Sequence, residues 1–239
     1  MLKGWRCRFS GDCVDFDYHL MWELFFHPGQ LALAELLFKD IRDLDRLGMQ
    51  GFISCQIQRA SFPTGLFWHV MGKTLWNRKT SFSALVDDYL ADCFGQKGQA
   101  LKRYLAEVTR LAHPYKLRML VEGRKGAGIS RRQTIGYLRK VPALARRMAR
   151  RAARGCRYAD PVTAYGWELL REHGWYITAY ARFYAALLAG DPRAETLAEQ
   201  WERDLRRSAV RLHPVLDTWS FHGRLKQAFQ AGQQAQGQS

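Results

Sequence analysis

The stretch Leu47-Gly-Met-Gln-Gly-Phe-Ile-Ser-Cys-Gln-Ile57 decides the fold, because it connects the end of a helix to a buried strand. Leu31 to Leu47 repeats apolar residues along one helical stripe, and Gly48 stands where a glycine commonly ends a helix. Gly51 to Ile57 is a short, mainly apolar run of the kind found in parallel sheets. This stretch therefore predicts a helix, a glycine break and a strand.

A second strand signal precedes this helix. Val14 to Trp22 places Phe16, Tyr18 and Leu20 on one face at a period of two, which is the pattern of a β-strand. Strand, helix, glycine and strand in this order predict a βαβ unit. In such a unit the two strands are parallel and the crossover is right-handed.

Downstream of residue 58 the sequence predicts helices only. Ser81 and Ser130 are suited to helix N-caps. Asp160-Pro161 and Asp191-Pro192 each combine a capping aspartate with a proline that fits the first helical turn. His213-Pro214 is predicted to begin the final helix.

The predicted fold is mainly α with a small α/β part, in which two parallel strands precede a C-terminal helical domain. We place the βαβα portion at residues 1–79, the helical domain at 80–230 and a disordered polar tail at 231–239. Trp76 is predicted to lie in the core. Because two strands cannot form a sheet that is buried on both faces, the βαβ unit is either a piece of a larger sheet or a small cap on the helical domain.

Composition narrows the class of protein. A chain of 239 residues with 47% hydrophobic residues can bury a sizeable core. The five cysteines lack CxxC spacing, which argues against a disulfide framework and favours a reducing compartment. The sequence shows no long uncharged apolar run and no apolar segment of a signal peptide. We therefore expect a cytoplasmic protein without membrane contact.

The positive charge is confined to one segment. Residues 101–159 contain 17 lysines and arginines but only Glu107 and Glu122 as acids, so this segment accounts for the net charge of +15. The rest of the chain is close to neutral. The basic patch predicted here consists of Arg131, Arg132, Arg139, Lys140, Arg146, Arg147, Arg150 and Arg151.

Five motifs give the sequence a family resemblance. They are Phe16-Asp-Tyr-His-Leu-Met-Trp22, Lys39-Asp-Ile-Arg42, Leu47-Gly-Met-Gln-Gly-Phe-Ile-Ser-Cys-Gln56, Phe62-Pro-Thr-Gly65 and Lys73-Thr-Leu-Trp-Asn77. In order and spacing they resemble the C-terminal half of the family called domain of unknown function 4838, over about residues 4–120. That family is similar to α-glucuronidases and hexosaminidases, which are (β/α)8-barrel glycoside hydrolases with a helical domain after the barrel. The resemblance implies that the two strands are the last two of such a barrel.

The resemblance also implies a sugar pocket, because barrel active sites lie at the carboxyl ends of the strands. Amide and imidazole groups bond sugar hydroxyls, indoles stack on sugar rings, and arginine pairs with the carboxylate of a uronic acid. The candidate substrate-binding residues are Asp17, Tyr18, His19, Trp22, Gln56, Gln58 and Arg59. Alternatively, Tyr18 and Trp22 pack between strand and helix, and His19 is a buried residue with satisfied hydrogen bonds.

The catalytic carboxylates expected of a glycoside hydrolase are incomplete in this sequence. Hydrolysis normally uses two acids that flank the scissile bond. Asp15 and Asp17 share one strand face and cannot approach that bond from opposite sides, and Glu23 is the one other acid near a strand end. We therefore expect a carbohydrate-binding chain, for a uronic acid or an amino sugar, that is not catalytically complete alone. We expect neither a cofactor nor a metal site.

Two other functions fit parts of the sequence. Residues 101–159 could bind nucleic acid, although no helix-turn-helix, RNA-recognition or zinc-finger pattern accompanies the arginines. The same charge suits an acidic polysaccharide, an acidic partner surface or a solvated helix face. The helical part could also serve as a protein-interaction or oligomerisation module. In that case a second copy, or a separately encoded barrel half, covers the free strand edge.

Overall fold

The computed structural model of the protein describes residues 4–5, 7–21, 23–56, 59–124, 126, 128–157 and 160–237. Helices make up 72% of the structure, and one two-stranded parallel sheet accompanies them in these ranges. The predicted fold class, mainly α with a small α/β part, is confirmed. None of the helices in the described ranges is both long and apolar enough to cross a membrane.

The elements follow the predicted order. The βαβ unit consists of β1 (Val14–Asp17), α1 (Leu31–Leu47) and β2 (Gly51–Ser54), with a 3-10 turn at Glu23–Phe26. The helices that follow are α2 (Leu66–Trp76), α3 (Phe82–Phe94), α4 (Gly98–Leu111), α5 (Pro114–Val121), α6 (Arg131–Leu138), α7 (Val141–Gly155), α8 (Pro161–Ala189), α9 (Arg193–Leu212) and α10 (Thr218–Gly237).

The two strands are parallel, as predicted. Their register pairs Val14 with Gly51 and Asp17 with Ser54. α1 ends at Gly48, which adopts the left-handed conformation (φ 67°) that glycine accepts without strain. β1 is shorter than the predicted strand, because the chain turns directly after Asp17 and the Met21 amide donates to the Tyr18 carbonyl at 3.0 Å.

Local capping signals account for several helix starts. The Ser81 hydroxyl accepts from the amide of Ala84, and the Ser130 hydroxyl accepts from that of Gln133. The Asp160 carboxylate accepts from the amides of Val162 and Thr163 at 3.3 and 2.8 Å. These side chains satisfy amides that have no partner inside the helix.

The C-terminal predictions need correction. α9 continues to Leu212, and the last helix begins at Thr218, five residues after His213. Asp217 fixes this start by accepting from the Ser220 amide at 3.1 Å. Residues 231–237, predicted as part of a disordered tail, continue α10, whereas residues 238–239 lie outside the described ranges.

α8 is the centre of the core. This 29-residue helix packs against α3, α6, α7, α9 and α10. On it, Tyr176, Tyr180 and Phe183 surround the buried ring of Trp201 from α9, with ring centroids 5.6 to 5.9 Å apart. Large aromatic side chains bury much apolar area for little conformational entropy, so this cluster stabilises the helical part strongly.

The N-terminal unit shares this core in part, whereas Leu37, Ile41 and Leu44 of α1 form a separate small cluster with Phe52 of β2. One cluster of buried apolar residues runs from Leu20 to Ala228 and crosses the predicted boundary at 79/80. His173 of α8 joins the two parts, because its Nε2 donates to the Pro28 carbonyl at 3.0 Å and its Nδ1 accepts from the Tyr104 hydroxyl at 2.9 Å. Burial lowers the pKa of His173 to about 4, so the imidazole is neutral at pH 7.

The prediction that Trp76 lies in the core is wrong. Its side chain is 91% exposed at the C-terminal end of α2. The buried face of α2 consists of Leu66, Phe67, Val70 and Thr74, at spacings of three and four. Position 76 lies off this stripe, so the ring points away from the core.

Substitution of Gly29 tests whether the N-terminal unit packs on α4. A Cβ at this position would lie 2.6 Å from the Leu105 carbonyl oxygen and 2.7 Å from the Thr109 amide nitrogen. Because these are backbone atoms of a packed helix, Gly29→Ala should lower the free energy of unfolding in urea by about 1–3 kcal/mol.

The matched control is Gly72→Ala on α2, where a Cβ has no neighbour within 4 Å. This change should raise the free energy of unfolding by about 0.5–1 kcal/mol, because alanine favours a helix interior. Equal effects of the two substitutions would contradict the packing described here.

Candidate functional site

The carboxyl ends of the two strands meet at one edge of the sheet. Because Asp17 is the register partner of Ser54, Tyr18 and His19 leave the sheet beside Cys55 and Gln56. The Cys55 amide donates to the Asp17 carbonyl at 2.8 Å and continues the pairing by one residue. The structure thus brings four of the predicted site residues, Asp17, Tyr18, His19 and Gln56, to the same edge.

An aspartate–histidine–aspartate cluster occupies this edge. The His19 Nδ1 bonds the buried carboxylate of Asp17, and the His19 Nε2 bonds the Asp40 carboxylate of α1 at 2.9 Å. The His19 amide also donates to Asp17, at 3.2 Å. Asp40, which lies 21 residues from His19 on the polar side of α1, is not among the predicted site residues.

The cluster favours a charged imidazole. A neutral imidazole has one N–H, whereas two carboxylate partners require two donors. Burial acts to lower the pKa of His19, but the hydrogen bonds and charges of Asp17 and Asp40 outweigh it and raise the pKa above its ordinary value. Burial and the charge of Asp17 raise the pKa of Asp15, the next acid on the strand.

An acid-rich cavity adjoins the cluster. It encloses about 450 Å³ between β1 and α1 and is lined by Asp15, Asp17, Asp40 and Asp43 together with apolar residues of α1. Of these acids, Asp17 and Asp40 bond His19, whereas Asp43 pairs with Arg46. Both ring nitrogens of His19 are already bonded, so His19 connects strand and helix and does not offer a free nitrogen to a ligand.

The opposite face of the sheet is apolar and uncovered within the described residues. Val14, Phe16 and Tyr18 of the first strand and its extension, together with Ile53 of β2, are each about half exposed. The rings of Phe16 and Tyr18 lie 5.3 Å apart. Parallel strands are normally covered on both faces, so this face has the character of an interior surface.

The remaining predicted substrate-binding residues lie elsewhere or are not described. The Arg59 guanidinium lies 3.8 Å from the Asp217 carboxylate, and the Arg59 carbonyl accepts from the Asp217 amide at 3.2 Å. Arg59 therefore connects the segment after β2 to the start of α10. Trp22 and Gln58 lie outside the described residues.

The predicted basic patch extends over two helices. Arg131 and Arg132 begin α6 and are exposed, Arg139 follows its end, and the Lys140 ammonium lies 5.8 Å from the centre of the Tyr137 ring. Four exposed arginines continue the patch on α7, namely Arg146, Arg147, Arg150 and Arg151. Arg103 and Arg110 of α4, which are not part of the predicted patch, line the same groove as the arginines of α7. Their position follows from helix packing, which no local pattern reveals.

Comparison with known proteins adds no relative. No family model matches the sequence, and no curated protein or solved structure matches it. The resemblance to the domain of unknown function 4838 family therefore stays a prediction that rests on the five motifs. Among the described residues, no group of three histidine, cysteine or acidic side chains is placed to hold a metal ion.

Asp40→Asn tests the charged cluster. A histidine whose pKa is higher in the folded state than its unfolded value of about 6.5 stabilises the fold fully below that value, and this stabilisation is lost as the pH rises through the folded pKa. Asp40→Asn should therefore cost about 1 kcal/mol in urea unfolding at about pH 6 and less at about pH 9.

NMR titration of the His19 ring should show the pKa falling in the same variant. The control is Asp43→Asn, because Asp43 lies on the same helix but pairs with Arg46 at the surface. That change should leave both the His19 titration and its pH-dependent stability unaltered. An unchanged His19 pKa in Asp40→Asn would refute the cluster.

Proposed function

We propose that this chain forms two neighbouring strands and the adjoining helical part of a carbohydrate-binding (β/α)-barrel protein of the glycoside hydrolase type. Its ligand is a uronic acid or an amino sugar, which binds at the carboxyl ends of β1 and β2. The proposal rests on one observation above all: two parallel strands end side by side, and polar side chains follow both of them.

The residues at this edge suit a sugar. Tyr18 offers a half-exposed ring that can stack on the apolar face of a pyranose. Gln56 is exposed, and its amide can donate to a hydroxyl while its carbonyl accepts from the Ser54 hydroxyl at 3.3 Å. His19 and Asp17 act indirectly, since their mutual bonds hold the turn that carries Tyr18.

The acids at this edge do not form a hydrolytic pair by themselves. Asp17 is buried and bonded to His19, and Asp15 lies two residues earlier on the same strand. Both face α1, so they cannot flank a glycosidic bond from opposite sides. In this proposal at least one catalytic carboxylate comes from polypeptide outside the described residues.

Further strands are part of the proposal. They cover the apolar face formed by Val14, Phe16 and Ile53 and leave the Tyr18 ring open to the sugar. They are supplied by other polypeptide, either of a longer chain or of a partner chain. A cytoplasmic location also belongs to the proposal, because all five cysteines are free thiols.

The test is an NMR titration of the chain with methyl glucuronide and, separately, with N-acetylglucosamine. Amide shifts should concentrate at residues 17–19 and 54–56 with one of the two sugars. Tyr18→Ala should weaken the binding by about tenfold, because it removes the stacking surface.

Trp76→Ala is the control. It removes another exposed aromatic ring, which lies on α2, away from the strand ends. It should leave the sugar affinity unchanged. Amide shifts that are absent with both sugars, or that survive Tyr18→Ala undiminished, would rule out the proposed site.

A further inference from the structure

A basic groove lies between α4 and α7. It has a volume of about 1200 Å³, and the buried side chains of Tyr104 and Met148 contribute to its lining. Six arginines and a single acid, Glu107, also line it, so the local net charge is +5. The arginines are Arg103 and Arg110 of α4 and Arg147, Arg150, Arg151 and Arg154 of α7.

Little of this charge is neutralised by the residues that the structure describes. Glu107 is bonded through both carboxylate oxygens to Arg110, at 2.8 and 2.7 Å. Within the part of the chain that the structure describes, the other five arginines form no hydrogen bond or ion pair with an acid.

α9 provides the contrast. Its arginines pair with acids one turn away, as Arg203 does with Glu199 and Arg206 with Glu202. α7 contains no acid in its 15 residues.

Helix stability does not explain the arrangement on α7. Arg147 and Arg151 are four residues apart, as are Arg150 and Arg154, and like charges at this spacing repel each other on a helix surface. The groove therefore places cations close together, and their repulsion lowers the stability of the fold in the absence of a ligand. An anionic ligand in the groove removes that repulsion.

The shape of the groove selects among anionic ligands. Arginine forms two parallel hydrogen bonds with a carboxylate or phosphate group. The cations line a recess between two packed helices, whereas reading a duplex requires an element that projects into the nucleic-acid groove. Single-stranded nucleic acids rely on exposed aromatic rings for stacking, and the aromatic residue of this lining, Tyr104, is buried.

We propose that the groove between α4 and α7 binds a single chain of an acidic polysaccharide through its uronate carboxylates. The choice of a carbohydrate rests on the proposed function, whereas the groove and its charge do not depend on it. The groove shares no lining residue with the cavity at the strand ends, so in this proposal it is a second contact for a long substrate.

Fluorescence anisotropy with a labelled oligogalacturonate tests this proposal. The full chain should bind the probe, and the affinity should fall steeply between about 50 mM and about 200 mM salt. Unlabelled dextran, which is neutral, should not compete. Arg147→Gln/Arg151→Gln should weaken the binding by about tenfold or more, because two fork-type contacts are lost.

Arg131→Gln/Arg132→Gln is the matched control, since it removes the same charge from exposed arginines of α6 outside the groove. It should change the affinity by less than about twofold, as expected for screened charges beyond the contact. Equal losses in the two double variants would overturn the proposal, because net charge alone would then explain binding. So would tighter binding of an oligothymidylate of equal charge, or no binding of the oligogalacturonate.

The monosaccharide titration separates this proposal from the proposed function. Oligogalacturonate binding that needs Arg147 and Arg151, without sugar shifts at residues 17–19, supports the groove and rejects the site at the strand ends. Sugar shifts at the strand ends without oligogalacturonate binding reject the groove alone.

Discussion

A parallel strand must be paired along its edges and covered on its faces, and this constraint organises the whole protein. β1 and β2 satisfy it on one side, where α1 crosses over and packs against α2. On the other side, Phe16 and Ile53 are register partners and both remain about half exposed. The two strands are therefore stable enough to pair, but their exposed face has the apolar character of a protein interior. Any function of the sheet depends on what lies against this face.

The helical part stabilises this small sheet. α8 gathers the surrounding helices around one aromatic cluster, and His173 ties that helix to the loop before α1 through Pro28. The buried imidazole makes this tie sensitive to acid. Its folded pKa of about 4 lies below the unfolded value, so protonation favours the unfolded chain as the pH falls from about 6.5 towards 4. The core thus holds the strands from one side and leaves the other free.

Local signals determined what the sequence could predict. Gly48, Ser81 and Asp160 act within one or two turns of their own helices, and each behaves as predicted. Parallel pairing followed from the strand–helix–strand order, because the helix returns the chain to the end of the sheet at which the first strand began. The bonds that define the site and the core are long-range. Asp40 meets His19 across 21 residues, and His173 meets Pro28 across 145. No local pattern contains such information, nor does one show that apolar residues on both sides of position 79/80 share one cluster.

The central claim is that β1 and β2 form the edge of a parallel sheet that other strands complete. Amide hydrogen exchange of the isolated chain, followed by NMR, tests it most directly. In β1, alternate amides point towards β2 and towards the open edge. The account predicts slow and fast exchange in alternation along Val14 to Asp17. Uniformly slow exchange would show that the edge is already covered, and uniformly fast exchange would show that the strands do not pair; either result would contradict the account.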